Sequence, residues 1–369
     1  MMTRIVTLLS VHKYHALVLF MMLSGIPIHA AAQSEDCTPE GEYGFICGLQ
    51  NAEDLVLVPG TDWIISSGMS PGVAMYLINA NTKAALPLYP GDSPRMEQDM
   101  SRYAECPGAP DTATLITHGL NLRRGQGQHS TLYVVSHGAR EAIEVFDVDA
   151  GGDRPVLIWR GCVLMPEGLA ANSVASFSDG SLAVTVLIHP GKTVMESIAG
   201  KPTGGVYTWS PGTTGFTLVQ GSELPANNGI EVSADETEIF VASSGLRTIV
   251  AFPRGNPVQP LRSTARLGII PDNVHMGPDG MLITAGMSAD EPGCGGDFPP
   301  AEEFDLEKVA ACPRGSVAYA IDPVTMHIRE IARAPAHPRF SNATMALPVG
   351  DDVWFGTFSG DRVGYLKRK

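Results

Sequence analysis

The stretch PDNVHMGPDG (271–280) sets a carboxylate and an amide, Asp272 and Asn273, at the mouth of a short apolar run. Polar residues also stand before five similar runs: Glu53 with Asp54, His118, Asn172, Asn228 and Asn342. One Asn or Asp before a strand is ordinary turn chemistry. Six polar entrances with no Leu or Val among them differ if the strands converge, because polar groups gathered inside a fold need partners. Glu53, Asn172, Asn228, Asp272 and Asn273 make an all-oxygen donor set of two carboxylates and three amides. Such a set suits a hard cation, and Ca²⁺ tolerates irregular coordination that Mg²⁺ resists. No thiolate belongs to the set, so Zn²⁺ fits less well. The expected cofactor is Ca²⁺.

Two histidines form a second constellation. HGLNLRRG (118–125) and STLYVVSH (130–137) read as a hairpin centred near Gly127-Gln128. If paired residues sum to about 255, as His118 and His137 do, these two face each other at the metal end. A paired imidazole tunes and orients its partner for general-base work on water. His129 falls at the opposite, turn end and reads as surface. His275, two residues beyond Asn273, reads as channel lining.

The elements that position these residues recur along the chain. A turn followed by a short strand appears as TDWIISSG (61–68), STLYVVSH, DGSLAVTV (179–186), ETEIFVAS (236–243), DGMLITAG (279–286) and DDVWFGTF (351–358). The copies lie about 58 residues apart on average, and each has one strand signature before it and another after. Such spacing predicts an all-β fold, a six-bladed β-propeller with four-stranded blades, in which the first strands line a central channel. A β-sandwich or two stacked β-domains would not keep the register. PVLIWRG (155–161) and FTLVQGS (216–222) suit outer strands, and the sixth blade needs its outer strand from the N-terminal segment around 43–49.

Arg4 and Lys13, the run ALVLFMML (16–23) and Ala30–Ala32 read as a secretory signal peptide over 1–32, too short to span a bilayer. Residues 33–369 are then a single exported domain, secreted or periplasmic. Removing 1–32 takes two basic and no acidic residues from the full-chain charge of −14, which leaves −16; that balance argues against nucleic acid and anionic membranes and suits cation binding. All six cysteines follow the leader, and an even count in an oxidising compartment reads as disulfides. Sequential pairing (37–47, 106–162, 294–312) closes the shortest loops among the connectivities available.

AEDLVLVPGTDWIISSG, THGL followed by LYVVSHGAREAIEVFDVD, the region of Asn172, ANNGIEVSADETEIFVASS and PDNVHMGPDG together resemble the serum paraoxonase/arylesterase family, over about residues 52–290. The resemblance implies a calcium-dependent six-bladed propeller that hydrolyses lactones and aryl esters. Glu53, Asn172, Asn228, Asp272 and Asn273 match its catalytic-calcium ligands, and His118 with His137 match its proton-shuttling pair. It further implies a second, structural calcium at Asp54, but Ser173 stands where the other acid should be. The family's C-terminal cysteine has no counterpart, so Cys37 or Cys47 must pair otherwise. The stretch HPGKTVMESIAGKPTGG (189–205) is placed to serve as a lid over the metal end. The resemblance calls for no covalent intermediate, so water attack on a small-molecule lactone or ester is the implied reaction. A gluconolactonase-type sugar lactonase and a non-enzymatic, calcium-stabilised binding propeller are the alternatives.

Overall fold

Runs such as LAVTV (Leu182–Val186) and SVAYAI (Ser316–Ile321) are buried along their whole length. Strands of this kind need a sheet packed on each face, and a ring of radially stacked sheets supplies it. The protein, seen here as a computed structural model, is described over residues 37–368 apart from 92 and 93; the leader expected over 1–32 lies outside the described residues. It is the expected six-bladed β-propeller of antiparallel blades. The inner strands are Leu55–Leu57, Ile116–Arg124, Val174–Ser176, Asn227–Val232, Val274–Met276 and Ala343–Val349. Each pairs with the strand that follows it, and the inner strands of the first and sixth blades touch, which closes the ring.

The sixth blade takes its outer strand from Gly44–Cys47, antiparallel to Arg362–Lys367 with Gly44 opposite Tyr365 and Cys47 opposite Arg362. The second blade carries an extra short strand, Arg95–Met96, parallel to its outer strand Val156–Leu164. The core lies between blades: Leu132, Val134, Phe146 and Trp159 fill one such layer, and Phe240, Ala242, Val274, Leu282 and Ile321 belong to another. All six cysteines pair sequentially, Cys37–Cys47, Cys106–Cys162 and Cys294–Cys312. Three disulfides suit an oxidising, extracellular type of compartment. Among the described residues no helix is long and apolar enough to cross a membrane.

Two insertions rise at the end of the channel that holds Asn228 and Asp272. The stretch 189–205 in the third blade contains helix α1 (Val194–Ile198), started by a reciprocal Thr193–Glu196 capping box. A longer one in the fifth blade, between Leu282–Met287 and Ser316–Ile321, contains helix α2 (Leu306–Ala311), whose Asp305 cap accepts from the Glu307 and Lys308 amides. Cys294–Cys312 and the buried Arg314, which donates to the carbonyls of Ala289 and Gly296 and stacks on Phe298, hold this second insertion.

Candidate metal centre and histidine relay

The inner strands have their ladders broken at three places near the candidate residues. Register shifts fall between Thr117 and Leu120, between Asn227 and Ile230, and between Ala343 and Ala346. Bulges of this kind re-aim side chains, and here they carry His118, Asn228 and Thr344. Close backbone approach finishes the frame. A Cβ on Gly119 would sit 2.7 Å from the Asn172 carbonyl oxygen, and one on Gly229 2.5 Å from that of Asp272. Thr185 takes the Asn172 N–H on its carbonyl and gives its hydroxyl proton to the Asn228 carbonyl. Thr344 donates to the Glu53 carbonyl at 2.6 Å and accepts from the Asn273 amide at 3.0 Å.

Within this frame two of the three amide nitrogens are tied off. Asn273 Nδ2 donates to Glu53 Oε1 at 2.6 Å, and Asn228 Nδ2 donates to Ser244 Oγ at 3.1 Å. Glu53 Oε2 and the Oδ1 atoms of Asn172, Asn228 and Asn273 are buried with no hydrogen-bond partner among the described residues. Acceptors buried in this way are costly unless something positive meets them. Asp272 stands beside them, its pKa pushed up to about 7, first by burial and then by the Asp54 charge, against a hydrogen bond from Asn228. Burial, with the charges of Asp272 and Asp54, also holds the Glu53 carboxyl well above the usual range. Oxygen donors, two of them acidic, with no lysine or arginine in the set, match the chemistry of a hard divalent cation. Among the described residues no three His, Cys, Asp or Glu side chains group as a metal cluster, so an ion here depends on the amide oxygens. Asn342 Nδ2 donates to Ala310 O and Ser359 Oγ, and its Oδ1 is likewise buried without a partner among the described residues.

His118 and His137 meet, with Nδ1 and Nε2 at 3.1 Å. They do so by a different register from the one expected. Ile116, not His118, lies opposite His137, and the bulge swings the His118 ring across to it. The sequence reading missed Glu141, whose Oε2 lies 2.6 Å from His137 Nδ1. The turn 138–141 returns the chain to the strand end, so a carboxylate four residues after a terminal His was the available signal. Glu141 accepts the His137 Nδ1 proton, which makes His137 Nε2 an acceptor and His118 Nδ1 its donor. His118 Nε2 is then a lone pair, 3.8 Å from Glu53 Oε1. Burial, and then the neighbouring His137, push the His118 pKa down to about 3, so the ring is neutral.

The remaining histidines separate by environment. His129 is exposed and pairs with Asp147, as its turn position implies. His275 does more than line the channel: its Nε2 lies 2.8 Å from Asp54 Oδ1, and its Nδ1 3.7 Å from Glu231 Oε2. Burial works against its charge, but Asp54 and then Glu231 outweigh burial and raise its pKa to about 10.

A cavity of about 330 Å³ opens from Asn228 and Asp272. Its walls include Leu187, Ile198, Met287, Phe298, Phe304 and Phe358, so α1 and the fifth-blade insertion both cover the metal end. The first was expected as a lid; the second was not. Arg247, paired with Asp297 through two hydrogen bonds, anchors the insertion at the rim. A larger hollow of about 520 Å³ lies at the outer edges of the first and second blades, around Leu88 and Arg154, and touches none of these polar residues.

No family model and no curated protein matches the sequence. Among solved structures, a luciferin-regenerating enzyme aligns at TM-score 0.51 and 10% identity, over 87% of this chain and 92% of that one. A gluconolactonase from Xanthomonas campestris aligns at TM-score 0.51 and 14% identity, over 89% of both chains. The likeness is one of fold.

Proposed function

We propose that the protein is an exported, calcium-dependent hydrolase of lactones or aryl esters that carry an apolar substituent. One observation carries this reading: Glu53 Oε2 and the Oδ1 atoms of Asn172, Asn228 and Asn273 are buried without partners, and the His118 imidazole comes within 3.8 Å of the Glu53 carboxylate. Glu53, Asn172, Asn228, Asp272 and Asn273 would hold the ion. When bound, a divalent cation supplies polarisation of the ester carbonyl and charge for the oxyanion.

The chain's own groups handle the proton. His118 Nε2 accepts it from the attacking water while His118 Nδ1 releases one to His137 Nε2. His137 Nδ1 in turn hands its proton to Glu141, which is partly open to solvent. The water oxygen bonds to the carbonyl carbon, the acyl–oxygen bond breaks, and the relay runs back to protonate the leaving oxygen. The apolar walls of the cavity, with Phe298, Phe304 and Phe358, favour an alkyl or aryl substituent over a sugar ring. The resemblance to paraoxonase motifs, the lactonase-type fold likeness, the leader-like first 32 residues and the disulfides agree with this reading.

The test is hydrolysis by the purified mature protein of a panel of alkyl lactones, aryl acetates and gluconolactone, with calcium and after chelation. Turnover of the apolar members that vanishes on chelation and returns with calcium is expected. Silence across the panel with calcium bound would reduce the ion to a structural role, and preference for gluconolactone would select the sugar-lactonase alternative.

A further inference from the structure

A second ion beside Asp54 is the point at which the residues present do not fit the resemblance. Asp54 is fully buried, and both of its carboxylate oxygens are already engaged. Oδ1 accepts from the Leu55 amide at 2.8 Å and Oδ2 from the Leu120 amide at 2.7 Å. His275 Nε2 lies across both, at 2.8 and 3.1 Å. The carboxylate therefore has its in-plane directions filled by protein donors, and a cation approaching it meets an imidazole. On the far side Glu231 is likewise occupied, by the Val232 and Met276 amides at 2.8 and 2.9 Å. Ser173, which stands where a second acid would be needed, is fully buried, and its hydroxyl has no partner among the described residues. Access does not explain the mismatch. A cavity of about 300 Å³ enters the channel from the opposite mouth, past Leu57, Asn121 and Met345, and ends on His275 and Glu231.

We infer that His275 occupies the place of a second cation: a side chain of the protein seals the channel below the candidate metal centre, and the protein takes one ion per chain. This concerns the number of ions and is independent of which ester is hydrolysed. The geometry also says what would reopen the place. A carboxylate at 173 supplies the missing acid, but only removal of the imidazole frees Asp54 to share an ion with it.

The experiment counts calcium by elemental analysis on gel-filtered wild-type protein, Ser173→Asp, and Ser173→Asp/His275→Ser, with circular dichroism to establish folding. One ion is expected in the wild type, one in Ser173→Asp, and two in the double variant. Two ions in the wild type, two in Ser173→Asp with His275 in place, or a folded double variant that gains none would each overturn the inference. If the double variant does not fold, the counts for the wild type and Ser173→Asp decide. A wild-type count of zero would sink the calcium centre proposed above, and the difference between the two variants would still decide the role of His275.

Discussion

Asp272→Asn should stabilise the metal-free protein and lose that advantage when calcium is loaded, and the size of the first effect follows from the site. The Asp272 carboxyl is pushed from its ordinary 3.8 up to about 7. A folded-state pKa raised in this way makes the folded chain hold its proton longer than the unfolded chain does. Stability is therefore unaffected well below pH 3.8, falls as pH rises between 3.8 and about 7, and stays reduced above that. The full cost is about 4 kcal/mol. An unfolding entropy of about 2.1 cal/mol/K per residue over about 330 residues converts this to about 6 °C. In chelator, Asp272→Asn should melt level with the wild type near pH 4 and about 6 °C above it at pH 8. With calcium the gap should close at about a thousandfold excess over Kd, because the wild type then gains about 4 kcal/mol that the variant, having lost one of two carboxylates, does not. Scanning fluorimetry across pH, with chelator and with calcium, reads both halves. A variant that melts below the wild type in chelator at pH 8, or a gap that does not grow with pH, would refute an uncompensated carboxylate at this position.

Four further outcomes are expected. His118→Gln should lower kcat on the order of 10²–10⁴-fold, and Glu141→Gln by roughly tenfold with a shifted pH profile, because an amide still bonds His137 but takes no proton; steady-state kinetics across pH check both. Gly229→Ala should cost about 1–3 kcal/mol and weaken calcium binding in titration calorimetry, since its Cβ would sit 2.7 Å from Asn273 Cα. Arg140→Met strands the fully buried Glu144, which otherwise accepts from Arg140 at 2.7 Å and Trp159 at 2.8 Å. Its denaturation midpoint should fall by an amount matching about 3–5 kcal/mol, and Arg140→Met/Glu144→Leu should recover most of that.

The propeller was legible because each blade repeats the same turn chemistry before a strand buried on both faces; DGSLAVTV and DGMLITAG differ in detail but not in period. The candidate ligands were legible for the same reason, since a polar residue at a fixed place in every repeat stands out against apolar neighbours. Features that break the repeat were not. The bulge at His118-Gly119 adds a residue without any change of residue type, so hairpin arithmetic put His118 opposite His137 when Ile116 is there. Glu141 sits in a turn, where charged residues are the norm. His275 alternates correctly for a channel-facing strand residue, and only the through-space arrival of Asp54 from another blade gives it a distinct environment. The fifth-blade insertion has no counterpart in the other blades from which its course could be inferred.

The pairing of Gly44–Cys47 with Arg362–Lys367 also sets an order of events. The last sheet joins Gly44–Cys47 to a strand far later in the chain, so the ring stays open until Arg362–Lys367 has been made. Any earlier closure would have to recruit a wrong edge. Contacts of such long sequence separation form slowly, and the open ring exposes the edges of two blades meanwhile. During that delay the strand Gly44–Cys47, tied at its end by the local Cys37–Cys47 disulfide, is the edge that must wait for its partner.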